Sequence, residues 1–238
     1  MQFAWFIWSL ILLVIWLAIY FFLKNDESRK EMLKVSLWTS ILGLTEPFFV
    51  PEYWSPPSLF DLAQRTGFDI ESFLFSFGIG GLAFVIYEFI FSVRHKRMPV
   101  LERFNPRHRY HFFALISGPI IFSAFLIFSE FNNIHSAIIA LALGGIFIIL
   151  CRPDLKIKMI ASALIFLGIY YLYFLTLILL YPGYVESVWN LTAISGILIS
   201  SIPLEELLFA LSFGFFWSGV YEHFTWNKLV KNHYELQL

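Results

Sequence analysis

Four glutamates, Glu46, Glu71, Glu205 and Glu206, stand in or at the ends of long apolar runs. A carboxyl withdrawn from water is held neutral more readily than a solvated one, and a second carboxyl close by strengthens that preference. A group kept protonated in this way can serve as a general acid, and an ionised neighbour can serve as a base. These residue types therefore offer acid–base chemistry on an apolar substrate. Plainer roles compete with that one. Acidic residues are favoured in the first turn of a helix by its dipole, and Pro203, just ahead of Glu205, suits a helix start. Successive helical residues diverge by about 100°, so at most one of Glu205 and Glu206 faces a given cleft.

Other polar groups read more simply. Glu88 and Glu222 fall near inner helix ends, as interfacial anchors or helix–loop contacts. Asn132, Asn133 and His135 form a polar turn, and His108 and His111 lie in a basic loop that faces lipid headgroups. No cofactor or metal is expected. His135 and His223 fall on opposite faces of the membrane without a close histidine partner. There is no strand–GxGxxG–helix unit, and Gly78, Gly80 and Gly81 suit helix packing. The single cysteine, Cys151, excludes an internal disulfide framework.

The elements that must position these residues are membrane helices. Of 238 residues, 59% are hydrophobic and 14% charged, against roughly 45–50% and about 25% in soluble domains. Apolar surface in this excess needs lipid. A net charge of −1 carries no basic footprint for nucleic acid. Seven runs near 3–23, 33–50, 71–93, 112–129, 134–151, 159–181 and 203–224 are candidate spans. The first has no positive charge over Met1 to Trp5 and is too long for a cleaved signal. The stretch 191–201 is short for a span and reads as an interfacial or re-entrant piece. With this division every Lys and Arg except Arg65 lies on one side of the membrane. The positive-inside rule then puts the N-terminus outside and the C-terminus in the cytosol.

An internal repeat underlies the order of spans. Residues 68–88 align with 202–222, matching Glu71 with Glu205, Phe75 with Phe209, Gly80 with Gly214, Tyr87 with Tyr221 and Glu88 with Glu222. The expected fold is all-α, with a 3+1+3 arrangement of parallel repeats: residues 1–111, a linking helix over 112–133, and residues 134–238.

Pro203-Leu204-Glu205-Glu206, within SIPLEELLF, and the stretch EPFFVPEYWSPPSLF from Glu46 to Phe60 resemble the transmembrane lycopene cyclase domain family, the non-flavin type found as paired subunits or fused chains. The resemblance implies a carotenoid cyclase of the lycopene β-cyclase type. An acid protonates the terminal alkene of a linear polyene such as lycopene, the next double bond attacks the cation, and a base removes a proton, with no net redox change. It implies Glu205 or Glu206 as proton donor, with Glu71 or Glu46 assisting or taking the proton. Trp54, Phe75 and Phe209 are candidates to flank the cation. The first-half counterpart, Asp69-Ile70-Glu71-Ser72, lacks the proline and the second acid. The chain is expected as a multi-pass protein of the plasma membrane, with the bilayer and an apolar polyene as partners. An oligomer or a partner among carotenoid enzymes stays open. So do two other readings, a proton-coupled transporter and a non-catalytic lipid-binding subunit. A retinal protein is excluded, because the last span has no lysine.

Overall fold

The computed structural model describes residues 1–231. Residues 232–238 of the expected second repeat lie outside the described residues. The chain is an α-helical membrane protein. Its long helices are α1 (Ala4–Phe22), α2 (Asp26–Ser40), α3 (Ile70–Phe91), α4 (His111–Phe128), α5 (Asn133–Cys151), α6 (Lys156–Leu180) and α7 (Leu204–Thr225). Short strands β1 (Val93–Arg97), β2 (Leu198–Ile199), β3 (Ile202–Pro203) and β4 (Asn227–Lys231) fill connections.

Local chemistry sets these bounds. Asn25 caps α2 by accepting from Glu27 N–H at 2.9 Å, and Asn132 caps α5 by accepting from Ile134 N–H at 3.2 Å. Asp69 caps α3 through Ser72 N–H. Pro203, lacking an N–H, precedes α7. After Ser40 the chain tightens into a 3-10 segment, Ile41–Phe48, that holds Glu46 and Pro47.

By length and composition, five helical stretches among the described residues suit a bilayer: α1, α3, Pro106–Phe128, α5 and Pro153–Leu180. The other two expected spans differ for visible reasons. α2 begins at Asp26, earlier than the apolar run at 33, and so takes in charged residues; its apolar end is the 3-10 segment. α7 carries three glutamates. α6 begins at Lys156, so Lys158 lies inside a helix, where the sequence had placed it in a loop. The stretch 191–201 contains no helix and ends in the β2–β3 hairpin.

Exposed ridges of large apolar side chains run along α1 (Val14, Leu17, Phe21), α4 (Phe112, Phe113, Ile127) and α6 (Ile157, Leu164, Leu172). Such surfaces are stable against hydrocarbon. Inward faces form an aromatic core in which Trp8 stacks on Tyr173 at 4.4 Å. α2 and α3 approach closely because Gly80 lies against Thr39, and Gly81 against Ser36 and Trp16, with no space for a methyl group.

α3 and α7 begin and end 134 positions apart, at 70 and 204 and at 91 and 225. Each is followed by a residue in the left-handed region, Ser92 and Trp226, and then by a strand, β1 and β4, at the same offset. β1 and β4 pair antiparallel with His95 opposite Leu229, two residues that are themselves 134 apart.

Candidate functional site

At one end of the bundle a cavity of about 430 Å³ lies between α3 and α7, within the size range of small-ligand sites. Matched positions line it from both helices: Ser72 and Glu206, Phe75 and Phe209, Ile79 and Phe213. Trp5 and Trp8 enter from α1, Tyr170 from α6, and Tyr53, Trp54 and Trp189 from the connections. Trp54, Phe75 and Phe209, the aromatics singled out in the sequence, all face it. The wall is apolar apart from a few polar groups, chiefly two carboxyls, Glu46 and Glu206.

Glu206 is 7% exposed and receives three donors. Tyr53 Oη donates to Oε1 at 2.7 Å, Trp189 Nε1 to Oε1 at 2.9 Å and Tyr170 Oη to Oε2 at 2.5 Å. Converging donors of this kind stabilise a carboxylate in its ionised form. Glu46 is equally buried, but its Oε1 has no hydrogen-bond partner. A buried oxygen without a donor suits a neutral carboxyl. The cavity thus contains two buried carboxyls in different hydrogen-bonding environments.

Glu71 and Glu205 are buried too, but neither lines the cavity. Each accepts a loop amide: Leu59 N–H to Glu71 at 2.7 Å and Ser195 N–H to Glu205 at 2.9 Å. Glu205 also meets His135 Nε2 at 3.3 Å. The divergence of Glu205 from Glu206 follows from helical rotation.

The cavity opens sideways. Leu42 and Phe48 line it and are themselves exposed. Across the gap stands α4, with Pro119, Phe122 and Ser123 on the wall. Phe122 packs between Phe48 and Phe49, at centroid distances of 6.2 and 6.1 Å.

Residues 132–224 match the family model described as lycopene cyclase. This segment is similar to the lycopene cyclase domain family. It contains Tyr170, Trp189, Glu205 and Glu206, while Glu46, Tyr53 and Glu71 come from the part of the chain outside the match. The lycopene cyclase match supports a carotenoid cyclase-like role with a polyene substrate. Comparisons with curated proteins and with solved structures find no match.

The opposite end of the bundle holds a second polar cluster that sequence reading resolved only in part. His95, in β1, contacts Glu31 at 2.6 Å through Nδ1 and Glu222 at 2.8 Å through Nε2, with Glu88 at 3.4 Å. Lys158 pairs with Glu222 and lies 3.6 Å from Glu88. Tyr221 donates to Glu31 at 2.9 Å and Ser28 to Glu88 at 3.1 Å. Glu88 and Glu222 do make helix–loop contacts, through His95, but are fully buried rather than interfacial. Burial opposes a charge on His95, yet the hydrogen bonds to Glu222 and Glu31, with Glu88 nearby, raise its pKa to about 10. Both ring nitrogens then donate.

Two histidine expectations change. His111 does not point to headgroups: its ring stacks on His223 and on Trp226, each at 3.7 Å. His223 therefore has a close histidine partner, supplied by the start of α4. The contact joins positions 112 apart and forms only in the folded chain.

Proposed function

We propose that the chain is a membrane-embedded cyclase of linear carotenoid ends, of the lycopene β-cyclase type, with Glu46 and Glu206 as its acid–base pair. The observation that carries this reading is that these two carboxyls, with different hydrogen-bonding environments, line one aromatic cavity.

In this mechanism an end group of the polyene enters past Phe48 and Phe122. Glu46 delivers its proton to the terminal double bond. The next double bond supplies two electrons to the resulting tertiary cation and closes the ring. Aromatic faces, including Trp5, Trp54, Phe75 and Phe209, stabilise the migrating positive charge. Glu206 removes a ring proton, leaving a new double bond. One proton is given and one taken, so transfer from Glu206 to Glu46 resets the site with no cofactor and no net electron change. Glu71 and Glu205 act as positioning residues that hold the loops around Leu59 and Ser195.

The reading extends to topology. A 3+1+3 repeat, over residues 1–111, 112–133 and 134–238, is supported by the matched bounds of α3 and α7 and of β1 and β4. In a seven-span arrangement, α2 with its 3-10 extension makes the second passage and α7 the last. N-out and C-in, in a plasma membrane, follows from the one-sided Lys and Arg distribution.

Expression in a lycopene-producing host, with chromatography of the pigments, tests the assignment. Cyclic product is expected from the parent chain and should vanish with Glu206→Gln and with Glu46→Gln, since proton transfer contributes about 10²–10⁴-fold. Undiminished product from both variants would remove this pair from the mechanism. Bound but unconverted polyene in the parent chain would favour a non-catalytic binding subunit.

A further inference from the structure

Away from the cavity, three side chains have the composition and spacing of a metal site. Cys151 ends α5 and is buried; His108 lies in the 3-10 turn Pro106–Tyr110; His111 begins α4. Nδ1 of His108 is 3.4 Å from Cys151 Sγ, and Nδ1 of His111 is 3.5 Å from it. The three ligand atoms all lie within 4.8 Å of one another. With Zn–S of about 2.3 Å and Zn–N of about 2.0–2.1 Å, a tetrahedral ion separates sulfur from nitrogen by about 3.5 Å. Both sulfur–nitrogen edges have that length.

The surroundings orient the ligands. Nε2 of His111 donates to the carbonyl oxygen of His223 at 2.9 Å, and its ring lies against those of His223 and Trp226. That hydrogen bond places the proton on Nε2 and turns the Nδ1 lone pair toward the sulfur. A backbone carbonyl behind the imidazole is the usual support of a ligating histidine. The thiol can donate to one nitrogen and accept from the other, whereas a metal ion would hold all three ligand atoms at once. Arg152, next in sequence, does not bar a cation, because Asp154 takes its guanidinium in two hydrogen bonds at 2.9 and 2.7 Å. A smaller cavity of about 170 Å³ beside His108 gives space for water as a fourth ligand.

We propose that Cys151, His108 and His111 bind one zinc ion with an open fourth position. Binding replaces the thiol proton, which passes to solvent. The ion clamps the entry of α4 to the end of α5 and, through His111, to the end of α7. The sequence had suggested no metal, because the ligands come from two segments 40 and 43 positions apart.

The test uses the full chain, untagged and purified in detergent. Zinc content is measured after dialysis, and chelator-treated protein is reloaded with cobalt(II) alone. About one zinc per chain is expected, and a cobalt form with tetrahedral visible bands and a near-ultraviolet thiolate charge-transfer band. Cys151→Ser should abolish that band and lower retained zinc about tenfold or more, with His108→Ala and His111→Ala also losing metal. The cobalt spectrum of the parent chain decides the matter even if a variant fails to fold. A parent chain that retains no zinc and gives no charge-transfer band overturns the site, as does an unchanged spectrum in folded Cys151→Ser. The cluster is then a thiol–imidazole hydrogen-bond chain.

Discussion

Tyr53 donates its hydroxyl proton to Oε1 of Glu206 at 2.7 Å, joining positions 153 residues apart. The tyrosine comes from the connection after the 3-10 segment, and the glutamate from the first turn of α7. The environment of the carboxylate therefore depends on both halves of the chain being docked.

Removing that donor should weaken the base without emptying the cavity. Tyr53→Phe, and separately Tyr170→Phe, deletes one hydrogen bond to a charged group, worth about 1.5–3 kcal/mol. Turnover should fall roughly ten- to a hundredfold, while bound polyene is retained. Pigment chromatography together with polyene co-purification separates the two effects; loss of binding in step with turnover would argue against this role.

Glu71→Gln and Glu205→Gln should behave differently from changes at the cavity. Each weakens a carboxylate contact with a buried loop amide, so a stability loss of about 1–3 kcal/mol is expected. Turnover per folded molecule should persist. Thermal unfolding in detergent measures the first quantity and normalised product the second. Loss of turnover equal to that of Glu206→Gln would assign these residues to the chemistry.

The charge cluster around His95 should tolerate no single deletion. Lys158→Met leaves Glu222 and Glu88 buried without their lysine, and breaking a buried pair in this way costs about 3–5 kcal/mol. Adding Glu222→Leu to Lys158→Met should recover part of the loss, as read from denaturation midpoints. An additive further loss would show that the pair is not the unit that matters.

His95 predicts a pH dependence. Its folded pKa of about 10 lies above the ordinary 6.5, so the charged ring stabilises the fold fully below pH 6.5. That contribution is lost as pH rises through the interval up to about 10. Thermal midpoints of the parent chain should fall across this window, and those of His95→Gln should start lower and fall less. Glu31, Glu88, Glu222 and Tyr221 surround the ring, and Lys158 shares Glu222 with it, so the comparison with His95→Gln isolates its share.

Much of the fold was legible in apolar run length, because hydrocarbon thickness sets helix length directly. The runs gave α3, α5 and α7 nearly to the residue. They misplaced the start of α2, where Asn25 caps the helix ahead of any apolar residue. The matched bounds of α3 and α7 were foreshadowed by Glu71 with Glu205 and Glu88 with Glu222, residues costly to bury and therefore informative. Among the four glutamates, sequence could not separate cavity-lining from loop-holding residues. That distinction rests on which way a side chain points and on Tyr53, Tyr170 and Trp189, aromatics among many in the chain. The cluster around His95 was hidden for the same reason: its members come from α2, α3, β1, α6 and α7 and meet only in three dimensions.

The antiparallel ribbon of β1 and β4 has a consequence for how such a chain could be encoded. It zips the ends of the two halves together directly, so the short link over 129–132 carries little of their adhesion. A polypeptide severed there would leave two pieces still able to recognise each other through the ribbon and the ion pairs beneath it. The aromatic cavity, walled by both, would form whether one gene or two supplied the parts.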